Sequence, residues 1–299
     1  MKRLTIANPF MQLMLLIGAW AVGMLLVGYA GAALAPVFGI SPSQVQDGLF
    51  PHNPSLARCL MAVQSIGVFM LPPILAAALI YRKRACIFLG VVRKPLSANV
   101  LLTSLALVVA IPFISLAANV NALLPLPEWA TSIDHDATEL TVKLIFTPDA
   151  ATLLLNLLII ALIPAISEEL LFRGYLQRVL HGWTRNPHVA IFISAVVFSA
   201  LHIQFEGFIP RFLLGALFGY LFYWSGSLWL PVAAHFTNNA VTIFAYFYAA
   251  RHGVNLDSAE VGETSGSLLA LASVFVVANL LAQIQRREKL RRKRHLLPA

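Results

Sequence analysis

The chain has 299 residues, of which 59% are hydrophobic and 11% are charged, and its mean hydropathy is +0.79. Soluble domains carry about 25% charged residues, so this composition excludes an ordinary soluble domain and indicates a membrane protein. The net charge of +8 could suit nucleic acid, but the basic residues flank apolar runs, where they serve topology and contact with anionic lipid. Nucleic acid is therefore excluded as a partner, and the lipid bilayer is expected as one.

Apolar runs of about 20 residues, enough to cross a bilayer as a helix, predict an all-α polytopic bundle of about eight transmembrane helices. In chain order the spans lie near residues 10–36, 57–81, 99–123, 150–180, 187–205, 208–224, 229–250 and 266–285. The first could instead be a cleaved signal peptide, because Lys2 and Arg3 precede an apolar run that ends at Ala35. Its length favours a retained helix.

The charges between the spans predict the orientation of the bundle. Basic residues dominate one set of alternate connections, among them Lys2, Arg3, Arg82, Arg93, Arg178 and the run from Arg286 to Arg294. Acidic residues dominate the other set, among them Asp47, Glu128, Asp134, Asp257 and Glu260. The positive-inside rule then places both termini in the cytoplasm and the chain in the cell membrane.

The chain is predicted to form one multi-pass domain, residues 1–299, with a catalytic core at 150–250. That core holds the ionisable residues that fall within apolar spans, and each such residue costs roughly 2.5–3.5 kcal/mol in a bilayer. Residues 1–149 are expected to supply scaffold helices, with no charge buried before residue 125. The loop at 125–149 interleaves apolar with charged residues, which predicts a short interfacial helix.

The fourth span carries two adjacent acids, Glu168 and Glu169, followed by Arg173. Glu169 and Arg173 are four residues apart, so they share a helix face and can pair. Glu168 points about 100° away and needs a partner on another helix. Pro164 lacks an amide hydrogen and should loosen the preceding turn. A plainer alternative is an ion pair plus one interfacial acid, but Glu168 lies about 18 Å from the cytoplasmic end, too deep for a short side chain to reach water.

The fifth and seventh spans each carry a histidine. His202 follows Phe198 by one turn, and a lone histidine in an apolar helix is more often a hydrogen-bonded core residue than a catalytic one. His235 and Asn239 project side by side from the seventh span. Such a pair can hold an oxyanion or a water, or the imidazole can bind a metal. The alternative is that these two polar residues join neighbouring helices.

Together these residues form the set needed to activate water for amide hydrolysis, namely a free acid, a histidine and a His/Asn face. Other protease chemistries lack their residues. All five aspartates fall in predicted loops, which excludes a membrane-embedded aspartyl pair. No histidine is followed directly by a glutamate, which excludes the His-Glu-x-x-His zinc motif. The serines at 199 and 227 have no nucleophile elbow around them.

The motifs Glu-Glu-x-x-x-Arg from Glu168, Phe-x-x-x-His from Phe198 and His-x-x-x-Asn from His235 resemble those of the CPBP intramembrane proteases. That family includes the type II CAAX prenyl endopeptidases and the bacterial Abi proteins. The resemblance covers residues 150–250 and carries all three motifs. It implies an intramembrane endopeptidase, called a metalloprotease in this family, whose substrates are membrane-tethered proteins or peptides, including prenylated CAAX proteins.

The resemblance also implies a role for each motif residue. It implies that Glu168 and His202 activate water and that His235 and Asn239 stabilise the oxyanion. It also implies that Glu169 and Arg173 form a structural ion pair. If zinc is the cofactor, its ligands would be Glu168, His202 and His235. We favour attack by water without a metal, because a glutamate and a histidine suffice for it.

Two other functions fit the same residues. A proton-coupled transporter could use the acids and histidines as a relay, but it predicts an inverted repeat or paired broken helices, which the sequence does not contain. A catalytically idle scaffold or immunity protein could bind a partner in the membrane, yet it has no need of all four motif residues. His235 lies about one turn inside the cytoplasmic end of its span, so the active site is expected to open towards the cytoplasm.

Overall fold

The computed structural model describes residues 8–41, 53–254 and 263–294, with side chains in the last range from 268 to 293. Within these ranges the chain is helical and has no strand, which confirms the all-α class. Lys2, Arg3, Asp47, Asp257 and Glu260, on which the predicted orientation and signal peptide partly depend, lie outside the described residues. Ten helices follow one another in the described part: α1 (Pro9–Phe38), α2 (Pro54–Leu89), α3 (Ser97–Val109), α4 (Ile111–Ala122), α5 (Glu128–Ile145), α6 (Ala150–Thr184), α7 (Pro187–Ala200), α8 (Phe208–Ser225), α9 (Trp229–His252) and α10 (Glu263–Arg294).

Among the described residues, four helices are long and apolar enough to cross a membrane: α1, α2, α6 and the Leu268–Lys293 part of α10. Helices α3 and α4 are bent by 47° and supply a fifth span if they count as one. The span predicted near 99–123 is therefore bent, because Pro112, near the start of α4, has no amide hydrogen to continue α3. Helix α7 has 14 residues, and polar residues lower the hydropathy of α8 and α9, so eight spans stay a prediction.

Helix α6 lies at the centre of the described bundle, and its residues Leu170–Leu176 are all buried. Its side chains bond to helices on both sides. Tyr175 Oη donates to the carbonyl of Gln12 in α1 at 3.0 Å, and Arg173 Nη2 donates to the carbonyl of Gly215 in α8 at 2.9 Å. The two acids of the fourth predicted span are thus followed directly by a segment that is packed on every side.

Two π-helical stretches, Leu157–Leu162 and Leu170–Leu176, interrupt α6 on either side of Glu168 and Glu169. Pro164 follows the first stretch, so the predicted loosening of this turn is confirmed. A π turn accommodates one extra residue and changes the direction in which the following side chains project, and such turns are frequent at functional sites.

The start of α6 is fixed by an N-cap. The Asp149 carboxylate accepts hydrogen bonds from the hydroxyl and the amide of Thr152, each at 2.7 Å. The bond from the hydroxyl is the larger of these effects, and together they hold the pKa of Asp149 below its usual value. This cap anchors the helix that carries both acids.

One end of the bundle is basic. Gly90 lies against the Arg178 guanidinium, Arg292 donates to the carbonyls at the end of α8, and Arg291 donates to the Lys94 carbonyl. We call this the basic end and define it by Arg93, Arg178, Arg291 and Arg292. By the positive-inside rule it corresponds to the cytoplasmic side of the sequence prediction.

The opposite end carries α5, an amphipathic helix of 18 residues. A helix was predicted in the loop at 125–149, and the structure confirms it while extending its start to Glu128. Asp134 and Asp136 lie on this helix, which is not among the candidate membrane spans. The expected absence of buried charge before residue 125 is wrong, because Arg58 is buried and donates to Asn156 Oδ1 at 2.8 Å.

Candidate active site

Glu169 and Arg173 form the buried pair that their spacing predicts. Arg173 Nη1 lies 2.7 Å from Glu169 Oε1, and the two side chains are 1% and 0% exposed. The guanidinium also faces the ring of Phe198, whose centroid is 4.5 Å from Cζ. His235 of α9 adds a contact that the sequence did not predict, since its Nδ1 lies 3.0 Å from the same Glu169 oxygen. Glu169 therefore ties α6 to α9.

Glu168 turns away from this pair and lies beside both histidines. Its Oε2 is 3.8 Å from Nε2 of His202 and 3.9 Å from Nε2 of His235. The Glu168 side chain is 13% exposed, against 29% for His202 and 6% for His235. The structure therefore brings one acid and two imidazoles together from α6, the α7–α8 loop and α9.

The hydrogen bonds of the two rings fix which nitrogens carry hydrogen. His202 Nδ1 lies 2.8 Å from the Phe198 carbonyl, which can only accept, so this nitrogen donates. His235 Nδ1 faces Glu169 Oε1 and donates for the same reason. In the neutral rings both Nε2 atoms are then acceptors, and they face the carboxylate oxygen of Glu168.

Three acceptors that face one another need a proton-bearing group or a cation between them. Glu168 Oε2 is buried, and it has no hydrogen-bond partner among the described residues. Contacts of 3.8–3.9 Å are too long for direct hydrogen bonds and are typical of groups that share a water. The arrangement is therefore suited to hold and activate one water molecule.

The predicted span places His202 within a helix, but the structure places it just beyond the end of α7. Helix α7 ends at Ala200, whereas the predicted span ran over 187–205. The bond from the His202 ring to the Phe198 carbonyl, together with the His202 amide donating to the Ser199 carbonyl, closes the last turn. The loop of residues 201–207 then places the imidazole beside Glu168.

A buried acid outside the predicted catalytic core holds this loop. Asp134 of α5 is 2% exposed, and its carboxylate accepts from the amides of Phe205 at 2.9 Å and Glu206 at 2.7 Å. Two bonds to one carboxylate fix the backbone three and four residues after His202. Residues 201–207 are thus attached to α5, the helix at the end opposite the basic end.

Asn121, at the end of α4, holds the same loop from a second side. Its Nδ2 donates to the Phe205 carbonyl at 2.9 Å, and its Oδ1 accepts from the Ile209 amide at 2.7 Å. Sequence reasoning missed both Asn121 and Asp134. No local pattern marks them, because their partners lie more than 70 residues away in the chain. Two side chains within residues 1–149 thus hold the loop that carries His202.

Asn239 lies one turn beyond His235 on α9 and is half-buried. Among the described residues it makes one hydrogen bond, in which its Oδ1 accepts from Asn238 Nδ2 at 3.3 Å. This leaves its own Nδ2 as a free donor. The structure does not bring Asn239 into contact with Glu168, so its predicted role in binding an oxyanion stays a prediction.

The donor atoms of this site suit zinc, but the distances between them do not. Both imidazoles have Nδ1 bonded to an oxygen, which leaves Nε2 free, as in carboxylate–histidine–zinc sites. In the described part of the chain, one group has three ligand atoms within 4.8 Å of one another, the exposed His135, Asp136 and Glu139. Glu168 Oε2 is within 3.9 Å of both Nε2 atoms, so these two nitrogens must lie further apart than 4.8 Å. Neighbouring ligands of tetrahedral zinc are about 3.5 Å apart, so the two nitrogens would have to approach each other by more than about 1.3 Å.

Comparison with known proteins agrees with this reading of the residues. Residues 150–241 match the family model described as type II CAAX prenyl endopeptidase Rce1-like. The predicted resemblance is confirmed for this segment. The chain is also similar to the uncharacterized protein YpbD of Bacillus subtilis (strain 168), with 31% identity over 90 residues, which are 29% of this chain and 43% of YpbD. No solved structure matches.

The Rce1-like segment contains all four residues predicted to act in catalysis, Glu168, His202, His235 and Asn239. It supports, in general terms, a membrane protein. The segment covers less than half of the chain, and the aligned residues cover less than half of YpbD. Residues 1–149, with Asp134 and Asn121, lie outside it.

Proposed function

We propose that this chain is an intramembrane endopeptidase that cleaves membrane-tethered proteins with a water molecule activated by Glu168 and His202. One observation carries the proposal: the Glu168 carboxylate lies within 3.9 Å of two imidazole nitrogens whose lone pairs are free. The Rce1-like segment supports the reaction class and makes prenylated CAAX proteins the first substrates to test.

The water donates one hydrogen to Glu168 Oε2 and the other to Nε2 of His202, so these two acceptors gain a partner. As the water oxygen attacks the carbonyl carbon of the peptide, Glu168 takes up the first proton and later returns it to the leaving nitrogen. His202 orients the water, because its ring is fixed by the Phe198 carbonyl. The burial of Glu168 and His235 keeps other water from competing.

The negative charge that develops on the carbonyl oxygen is met by His235 and Asn239. Glu169 Oε1 accepts from Arg173 and lies 3.0 Å from His235 Nδ1, which therefore carries a hydrogen. His235 can donate to the carbonyl oxygen from Nε2 only when that nitrogen has gained a hydrogen, and Glu169 then faces the positive ring from its other side. Asn239 donates from Nδ2 without any change of protonation. A zinc ion held by Glu168, His202 and His235 would add Lewis-acid polarisation of the carbonyl.

In the membrane, we place eight spans with both termini and the basic end in the cytoplasm. Helix α7 begins at the basic end, and its 14 residues rise about 21 Å, less than the hydrocarbon thickness of about 30 Å. His202 therefore lies within the bilayer, although it follows the helix end. Helix α5 and the loop it holds cover the site on the far side, which supports access from the cytoplasm.

The test compares membranes that contain the wild type, Glu168→Gln or the control Glu139→Gln. Glu139 is an acid on α5 that is half-exposed and distant from both histidines in sequence. We expect new protein termini, identified by mass spectrometry, that occur with the wild type and the control and disappear with Glu168→Gln. The purified proteins are then given a prenylated CAAX peptide and its unprenylated form, which separates the substrate class from the activity.

The proposal fails if the termini found with Glu168→Gln are the same as those found with the wild type while both proteins are folded. A catalytically idle scaffold would then be the better description. Cleavage of other membrane proteins without cleavage of the prenylated peptide would keep the peptidase and reject the CAAX substrates.

A further inference from the structure

A small cavity at the basic end lies between α6, α7 and α8, well separated along α6 from Glu168. Its volume is about 160 Å³, and Gln177, Arg178 and His181 of α6 line it together with Phe222 and Tyr223 of α8. Arg178 is ten residues after Glu168, about 15 Å along the helix. The cavity is therefore a separate feature from the candidate active site.

Arg178 stands out there because its charge has no acceptor. The guanidinium lies between the rings of Phe88 and Phe222, whose centroids are 5.6 Å and 4.8 Å from Cζ. Its Nε is buried, and Arg178 makes no hydrogen bond or ion pair with any described residue. A guanidinium has five N–H donors, and a desolvated cation without an anion is strongly disfavoured.

The other arginines of the basic end are satisfied. Arg93 pairs with Glu288 at 3.8 Å, Arg291 donates to the Lys94 carbonyl at 3.0 Å, and Arg292 donates to the Tyr223 carbonyl at 2.6 Å. Among these four, Arg178 alone makes no hydrogen bond or ion pair in the described part of the chain, and its guanidinium contacts two aromatic rings instead. A bound anion would supply an acceptor.

A second polar group in the cavity without a partner in the described part of the chain, Gln177 Oε1, restricts which anions would fit. Gln177 Nε2 donates to the Gly219 carbonyl at 3.1 Å, but Gln177 Oε1 is buried without a partner among the described residues. The ligand should therefore offer acceptors to Arg178 and one hydroxyl donor to Gln177. A phosphate group that carries a hydroxyl, or has one close by, satisfies both.

The aromatic residues around the cavity indicate that it lies level with the phosphate groups of the lipids. Aromatic residues at the basic end include the exposed Trp183 and Trp229, together with Tyr223 and Trp224. Tryptophan and tyrosine concentrate at the membrane–water interface, level with lipid headgroups. Basic residues on the cytoplasmic side add attraction for anionic lipids.

We propose that this cavity binds a phosphate group, with Arg178 as its cation and Gln177 as the acceptor for its hydroxyl. Two sources share this chemistry, the headgroup of an anionic phospholipid such as phosphatidylglycerol, and free hydrogen phosphate. The site does not depend on the peptidase, and its test requires no cleavage.

The test measures thermal unfolding of the full-length protein in detergent for the wild type, Arg178→Met and the control Arg287→Met. Arg287 is an exposed residue on α10, so both variants lose one positive charge from the same end of the chain. Each protein is titrated with sodium phosphate against sodium chloride at equal ionic strength, and with phosphatidylglycerol against phosphatidylcholine. Arg178→Lys, which keeps the charge but loses the fork of donors, is a fourth protein.

We expect the wild type and Arg287→Met to be stabilised by one of the two phosphate sources. Arg178→Met should bind it at least about tenfold more weakly, as befits the loss of a charge-assisted hydrogen bond. Arg178→Lys should fall between them. Stabilisation by phosphatidylglycerol alone assigns the site to lipid, and stabilisation by phosphate salt assigns it to the free anion. Equal responses of all four proteins, or no response of the wild type to either source, would overturn the proposal.

Discussion

Replacing Glu169 with alanine would leave Arg173 as a buried cation without its carboxylate. In the native structure Nη1 and Oε1 are 2.7 Å apart, and the side chains are 1% and 0% exposed. Removal of one partner from a buried pair costs about 3–5 kcal/mol, because the remaining charge stays desolvated. Since the same change also removes the acceptor of His235 Nδ1, we expect the upper part of that range. The folding equilibrium would shift by roughly 150- to 5,000-fold.

The assay is unfolding of the purified protein in mixed micelles as the mole fraction of dodecyl sulfate rises, followed by circular dichroism. A matched control is Glu139→Ala on α5. Glu139 and Lys143 have the same spacing as Glu169 and Arg173 and are 2.6 Å apart, but their side chains are 51% and 54% exposed. Exposed pairs contribute about 0–1 kcal/mol, so the two variants differ chiefly in burial.

Equal losses of stability in the two variants would refute the reasoning, and so would a Glu169→Ala protein within about 0.5 kcal/mol of the wild type, the usual range of surface changes. Glu169→Gln keeps one acceptor oxygen for Arg173 and His235. It should therefore lose less stability than Glu169→Ala, and the reverse order would show that the packing of the side chain, and not its charge, is what matters.

Three further outcomes are expected. Glu168→Gln should lower the rate of cleavage at least about 100-fold, as loss of a general base does. Its free energy of unfolding should stay within about 1 kcal/mol of the wild-type value. Retained cleavage would show that Glu168 takes no part in the reaction. Asp134→Ala should lower kcat about tenfold, because His202 is then misplaced, and KM should be nearly unchanged. The control Asp136→Ala, at an exposed residue of the same helix, should leave kcat unchanged. A change in KM alone would contradict the positioning role of Asp134. The pKa of Asp149 is lower in the folded than in the unfolded protein, so its contribution is present above the unfolded value and is lost as pH falls through the folded one. The difference in thermal midpoint between the wild type and Asp149→Asn should therefore shrink below about pH 4, and a difference that does not change with pH would exclude the cap.

Local pattern predicted much of this molecule. Hydropathy predicted the helical class and the apolar helices, and the spacing of Glu169 and Arg173 predicted their pair, because residues four apart meet on any helix. The three motifs predicted that Glu168, His202 and His235 would meet, although the reason lay in chemistry and family resemblance and not in geometry.

The rest depends on contacts between distant parts of the chain. The end of α7 before His202 and the contact of the Asp134 carboxylate with the α7–α8 loop depend on tertiary packing, which the periodicity of the sequence does not contain. The contact of His235 with Glu169 is of the same kind, since 66 residues separate them. A histidine with two partners could not have been distinguished in the sequence from one with a single partner.

The two nitrogens of His235 face two different carboxylates. A proton that arrives at Nε2 makes the ring positive, and the counterion for that charge is already present on the other side of the same ring, at Glu169. A charge on this ring would thus need no ion from solution, which a low-dielectric interior would make slow and costly. One imidazole in this way joins the Glu169–Arg173 pair to Glu168, the proposed general base.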